Sequence, residues 1–196
     1  MCHDISLIVD EIACHYMALP EDCIQELITQ CKILVFDKEE EIIKTGQYSD
    51  KTYYVAAGSA RAFYIKENGK EVTEWFAFNG EFICSVNSFF QNTPSTFSIS
   101  SVEPVVLLEI SRTTANYLSD KYRAFERLEK KVITHTLIKL QQRISALQFE
   151  DARHKYENLI NTQSGILRRI PLSYIASYLG ITLETLSRIR NPKNII

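Results

Sequence analysis

Seven short β-rich runs crowd into residues 33–111: ILVF, EEIIK, TYYVAAG, ARAFYIK, EVTEWFAF, TFSIS and PVVLLEI. Gly46, Gly58, Asn68-Gly69, Asn79-Gly80 and Pro94 break them apart. Runs of β-branched and aromatic residues bounded by turn formers read as strands. Many short strands at this spacing predict an antiparallel jelly roll or barrel. Asn68-Gly69, between two such runs, predicts a two-residue hairpin turn.

The period changes on either side of the roll. Residues 4–32 carry two helical stripes, Ile5, Ile8, Val9 and Ile12 and then Ile24, Leu27, Ile28 and Cys31, with a fresh helix start marked by Pro20, Glu21 and Asp22. From Thr113 to about Phe149 the pattern is helical and long. Ile133, Leu137, Leu140, Ile144 and Leu147 repeat at alternating spacings of four and three, the seam along which two helices pack. Phe125, Leu128 and Val132 form an upstream stripe out of phase with it. The seam suits a partner helix or the protein's own roll. Glu150-Asp151 then begins a short helix to about Asn161.

The stretch LSYIASYLGITLETLSRIR, residues 172–190, has the slots of a helix-turn-helix. Ile175, Ala176 and Leu179 fall on the inner face of its first helix, and Ala176 is small where a second helix must cross. Gly180 ends that helix in a left-handed conformation. Ile181 plugs the turn, and Thr182 is an N-cap for the second helix. Leu186 and Ile189 face back into the core, leaving Glu184, Thr185, Ser187, Arg188 and Arg190 outside. An ordinary helical hairpin with a solvated charged face is the competing reading. As a DNA reader, the second helix enters the major groove, where Arg188 can donate two hydrogen bonds to guanine and Glu184 can accept from cytosine. Thr182 and Thr185 suit phosphate oxygens. Arg168, Arg169 and Arg190 suit the charged backbone, which sets affinity without specificity.

The charge distribution agrees. Net charge is −2 over 196 residues, but residues 151–196 carry +4 and the preceding 150 carry −6. An anionic partner for the tail alone follows, which the helix-turn-helix reading makes double-stranded DNA. The amino-terminal stretch has no basic region before its apolar residues, and no apolar run reaches membrane-spanning length, so a cytoplasmic protein without a membrane partner is expected. The five cysteines are then reduced thiols. No C-x-x-C pair is present, none of the four histidines lies in the β segment, and no nucleophile elbow, phosphate loop or dinucleotide fingerprint occurs. The expectation is no enzyme, no metal and no cofactor. The domains are expected at 1–112 for the roll, 113–149 for the helix region and 150–196 for the helix-turn-helix, in an α+β fold.

This order of elements resembles the Crp/Fnr family of bacterial transcription regulators. Gly46 followed by YYVAAGSAR, then GEFICSVNSF, PSTFSI and VVLLEIS, is similar to the family's cyclic-nucleotide-binding-like sensor domain, and IASYLGITLETLSRIR is similar to versions common in Bacteroidetes members. The resemblance implies a β-roll sensor, a long helix that makes a homodimer, a helix-turn-helix on a two-fold operator, and contact with RNA polymerase. It places Glu184 and Arg188 at base-contacting positions. Leu183 stands where many members have arginine, which implies a different target sequence. Pro192 is expected to stop the recognition helix, and the family's β-hairpin wing is not expected in residues 193–196 after it.

The resemblance also tests the sensor. A buried phosphodiester needs a cation, and a ribose needs an acceptor. Ser85 falls at the family's glutamate position and Ser95 at its arginine position, and no lysine or arginine occurs from Gly80 to Pro104. The pocket is therefore expected not to bind cyclic AMP. Arg61, Tyr64, Trp75, Ser85 and Thr96 are candidates to line a pocket for an unknown small-molecule effector, against plain core packing. Cys84 is a candidate thiol sensor unless apolar burial makes it inert. A small-molecule-binding or interaction module with a vestigial DNA-binding motif is the alternative function.

Overall fold

The computed structural model describes residues 4–191, so Cys2, His3, Pro192 and Lys193 lie outside the described residues. Two compact units divide the chain: residues 1–62 with 76–135, and residues 63–75 with 136–196.

The first unit opens with α1 (Ile5–His15) and α2 (Glu21–Gln30). Asp4 caps α1, its carboxylate accepting from the Ser6 amide at 2.9 Å. Ile8, Val9 and Ile12 of α1 and Cys23 and Leu27 of α2 are buried, as their helical spacing requires. They join Tyr54, Leu108, Leu118, Phe125 and Leu128 in one apolar core. Each fully buried Leu or Ile contributes about 1.5–3 kcal/mol.

The roll has eight strands: β1 (Lys32–Phe36), β2 (Glu41–Ile43), β3 (Lys51–Ala57), β4 (Ser59–Ile65), β5 (Glu71–Phe78), β6 (Phe82–Cys84), β7 (Ser98–Ser101) and β8 (Val105–Ser111). They form two four-stranded sheets, in the orders β1-β8-β3-β6 and β2-β7-β4-β5. β8 is antiparallel to both neighbours, with Leu34 opposite Leu107 and Tyr54 opposite Leu108. These central positions are apolar because the strand is buried on almost its whole length. β6, only three residues long, carries too little pattern to read as a strand from sequence. The helix α3 (Val86–Gln91) follows it.

The β4–β5 turn differs from the sequence expectation. The Lys66 amide donates to the Lys70 carbonyl at 2.9 Å, and the Gly69 amide to the Lys66 carbonyl at 2.8 Å. Three residues therefore form the loop. Gly69 takes φ +78°, whereas Asn68 stays out of the left-handed region and its side chain accepts from the Lys70 amide. A turn closed by one left-handed glycine needs one such residue, whereas the two-residue type needs two.

The long helical segment is also divided. α4 (Arg112–Lys121) ends where Tyr122 becomes extended, and α5 (Arg123–Phe149) follows. The two stripes on α5 then separate. Phe125 and Leu128 enter the core of the first unit, with Val132 packed against it. Ile133, Leu137, Ile144 and Leu147 are 50, 63, 54 and 41% exposed.

In the second unit, residues 136–149 of α5 are followed by α6 (Ala152–Thr162), α7 (Ile166–Arg169), α8 (Leu172–Leu179) and α9 (Leu183–Arg190). Tyr156, Leu159, Ile166, Ile170, Ile175, Ala176, Leu179 and Leu186 are buried, and α9 packs on both α6 and α8. Among the described residues, no helix is long and apolar enough to cross a membrane.

Candidate functional site

The helix-turn-helix is built residue by residue as its slots require. α8 ends at Gly180, with φ +67°, and the Gly180 amide returns to the carbonyls of Ala176 and Ser177. A side chain there would also meet Leu147, with its Cδ2 3.3 Å from the added Cβ. Thr182 has the extended conformation of an N-cap, and its hydroxyl accepts from the Thr185 amide at 3.1 Å. The Thr182 and Thr185 hydroxyls are 3.0 Å apart. Ala176 and Leu186 are buried, so the two helices share one small core.

The opposite face of α9 is open. Thr182, Leu183, Glu184, Ser187, Arg188 and Arg190 are exposed, and Thr185 is half-buried. Glu184, Ser187 and Arg188 stand three and four residues apart, on one helix face. The arrangement offers a fork-shaped donor, a carboxylate acceptor and small hydroxyls together, with a helix N-terminus beneath them. Arg168 is exposed at the end of α7, while Arg169 is half-buried and engaged in contacts of the fold.

Asp151 sets the entry to this unit. Its side chain accepts from the His154 amide at 2.9 Å, capping α6, and lies 3.0 Å from His154 Nδ1. The hydrogen bond from the His154 amide, with help from the His154 ring, holds the Asp151 carboxyl below its ordinary range.

Residues 80–98 of the roll are arranged differently. Ser85 precedes α3, fully buried, and its hydroxyl has no hydrogen-bond partner. Ser95 is tied at three points: its hydroxyl donates to the Phe97 carbonyl at 2.6 Å, its amide to the Gln47 carbonyl at 2.8 Å, and its carbonyl accepts from the Gly46 amide at 2.7 Å. The Ser88 hydroxyl accepts from the Ser49 amide at 2.6 Å. Arg112 closes the end of α3, donating to the Phe89 carbonyl and the Asn92 side chain at 3.1 Å each. Apart from the Ser85 hydroxyl, these polar groups are spent on backbone of the fold, at Phe97 within the loop and at residues 46–49 beside it.

The remaining pocket candidates occupy different environments. Arg61 on β4 is 2% exposed and engaged in contacts of the fold. Tyr64 and Thr96 are exposed, and Trp75 is half-buried. Cys84 is a free thiol whose burial pushes its pKa up to about 12, against a smaller opposing hydrogen bond with Thr52. A thiol so poor in thiolate is a poor nucleophile at neutral pH.

Sequence reasoning missed a group of side chains on α5 and α8. Lys139 lies 5.1 Å above the Trp75 ring, and the Arg143 guanidinium lies 3.8 Å from the centre of the Tyr178 ring. The only signal available was the four-residue spacing of Lys139 and Arg143, which is common on exposed helices.

Residues 33–122 match the cyclic nucleotide-binding domain family. The fold of the chain is that of solved transcription regulators. FixK2 from Bradyrhizobium japonicum matches with a TM-score of 0.71 at 17% identity, covering 83% of each chain. The c-di-GMP responsive global regulator CLP from Xanthomonas campestris matches with a TM-score of 0.69 at 16% identity, covering 88% of this chain and 91% of its own. The catabolite activator protein of Thermus thermophilus matches with a TM-score of 0.57 at 20% identity, covering 91% of this chain and 85% of its own. No curated protein matches the chain by sequence. Residues 33–122 thus match a cyclic nucleotide-binding domain, within a chain that shares its fold with these three solved structures.

Proposed function

We propose that the protein is a cytoplasmic, homodimeric transcription regulator of the Crp/Fnr type. Its α9 reads a two-fold symmetric operator in double-stranded DNA. The observation that carries this reading is the open face of α9, where Glu184, Ser187 and Arg188 stand exposed above a fully buried Leu186. Arg188 and Glu184 read base edges, Thr182 and Thr185 hold phosphate, and Arg168, Arg169 and Arg190 supply backbone charge. Homodimerisation is supported by the exposed stripe on α5, Ile133, Leu137, Ile144 and Leu147, which needs an apolar partner. Promoter-bound RNA polymerase is the further partner that the fold suggests.

The sensor domain does not bind cyclic AMP in this reading. Ser95 supplies a hydroxyl already committed to Phe97 where a phosphodiester needs a cation. The protein is no enzyme, and any effector is small and lacks a phosphate monoanion.

Selection from a randomised duplex library, with purified protein and no added ligand, tests the reading. The expected result is an enriched inverted repeat with half-sites about one helical turn apart. Absence of enrichment, with the dimer intact, counts against effector-free DNA binding. Calorimetric titration with cyclic AMP is expected to show no heat of binding.

A further inference from the structure

We propose that Arg143 and Ser177 are positioning residues for the recognition helix: they clasp α8 to α5 and to the β4–β5 arm, and so fix the half-site spacing that the dimer accepts. This rests on the DNA-binding reading above.

The clasp lies wholly within the second unit, which holds residues 63–75 of the arm together with residues 136–196. β5 is an edge strand of its sheet, so the outward amides and carbonyls of its backbone need partners. Thr73, fully buried, finds both on the C-terminal helices. Its amide donates to the Ser177 hydroxyl at 2.9 Å, and its carbonyl accepts from Arg143 Nη2 at 3.2 Å. The Ser177 hydroxyl also points to the Glu71 carbonyl, two residues along the same edge, at 3.4 Å.

Arg143 completes the clasp. Nη1 donates to the Tyr178 carbonyl at 2.7 Å, and the guanidinium plane lies over the Tyr178 ring. Tyr178 is in the last turn of α8, where helix carbonyls lack intrahelical partners and a cation is favoured. One planar fork thus joins a strand-edge carbonyl to a helix-end carbonyl. Lysine, whose three donors sit on one nitrogen, lacks the planar fork that spans the two carbonyls.

The functional consequence follows from where Arg143 sits. It is on α5, beside Leu140, Ile144 and Leu147 of the apolar stripe. If that stripe is the dimer seam, the two-fold axis runs along α5. α8 shares its core with α9, so holding α8 to α5 holds α9 at a set distance from the axis. None of the clasp atoms uses the open face of α9, which stays exposed with the clasp closed. The clasp therefore orients the reader without covering it.

The test compares wild type with Arg143→Ala/Ser177→Ala, Arg143→Lys and Ser177→Thr, each titrated well below its own melting transition. Inverted repeats carrying the selected half-site at a series of spacings are titrated, with a single half-site as control. Wild type and Ser177→Thr, which keeps the hydroxyl, are expected to favour one spacing. The double variant should lose about ten- to a hundredfold of that preference, the scale of one charge-assisted hydrogen bond, while binding the single half-site unchanged. Arg143→Lys should fall on the side of the double variant. Wild-type spacing preference in the double variant overturns the proposal, as does tighter binding at every spacing, which marks a restraint instead of a positioner. A second readout needs no DNA: hydrogen exchange at the Thr73 amide should accelerate in Ser177→Ala. An unchanged rate overturns the clasp itself, whereas failure of wild type to bind any duplex overturns the DNA-binding reading.

Discussion

The loop at residues 80–98 of the roll and the outer face of α9 draw on the same residue types and use them in opposite ways. In the loop, Ser88, Ser95 and Ser98 are buried, and their hydroxyls bond the backbone of Ser49, Phe97 and Thr45. On α9, Glu184, Ser187 and Arg188 are exposed over an apolar underside. Buried polar groups are costly unless partnered, so these three hydroxyls are consumed in holding the loop. Exposed ones cost little and stay available to an external partner. The difference teaches that composition does not mark a site; the direction in which its polar atoms are satisfied does.

The largest expected effect concerns the exposed apolar stripe, which belongs with α9 on the open side of this comparison. Leu137→Asp with Ile144→Asp should leave the fold intact but convert the dimer to a monomer in sedimentation. Affinity for an inverted repeat should fall by about 10²–10⁴-fold, the usual worth of linked binding. A dimer that survives the double substitution breaks the assignment of the seam.

A crossed pair sharpens the contrast directly. Ser95→Ala removes the donor to the Phe97 carbonyl in a buried place and should cost about 1–3 kcal/mol in denaturant unfolding, with DNA affinity unchanged. Arg188→Ala should leave stability within about 0.5 kcal/mol. It should also remove about 1–3 kcal/mol of discrimination at one base pair, read by competition among single-base operator variants. Equal losses on all sequences would make Arg188 a phosphate contact.

Thr182 lies between the two behaviours, since its hydroxyl caps α9 and stands exposed. Thr182→Ala should destabilise by about 1 kcal/mol, measured by chemical denaturation. Thr182→Ser should recover most of that.

The smallest effect is a pH dependence of the closed side. Burial pushes the Cys84 and Cys31 thiols up to about 12. The folded state thus favours the protonated thiols. Their contribution is complete below the ordinary thiol value near 9 and is lost as pH rises from there towards 12. Unfolding titrations between pH 8 and 11 should show declining stability, and Cys84→Ser should flatten the decline. At pH 7.5, maleimide should label exposed Cys14 well before Cys84.

Much of this was legible in the chain itself. The seven β runs, the N-terminal helix pair and the helix-turn-helix slots all follow from local rules. Alternation, 3.6-residue spacing, a left-handed glycine at 180 and a threonine cap at 182 each act within a few residues. The face of α9 was legible for the same reason, since Leu186 and Ile189 fix which side turns inward. β6 was too short to carry a pattern. The break at Tyr122 was hidden because good helix formers lie on both sides of it. The three-residue turn at Asn68 was hidden because Asn-Gly serves both turn types.

Tertiary structure alone decided the rest. The sequence determined that α5 carries two apolar stripes, but only folding showed that Phe125 and Leu128 enter the core while Ile133 and Leu137 stay outside. It determined that residues 80–104 hold no lysine or arginine, but only the fold committed the Ser95 hydroxyl to Phe97. The edge of β5 and the end of α8 reach the two nitrogens of Arg143 only in the folded chain. Residues 73, 143 and 178 are far apart in the chain, and a hydrogen bond depends on distance and angle in space. Local spacing encodes neither, so this part of the protein's chemistry exists only in the folded chain.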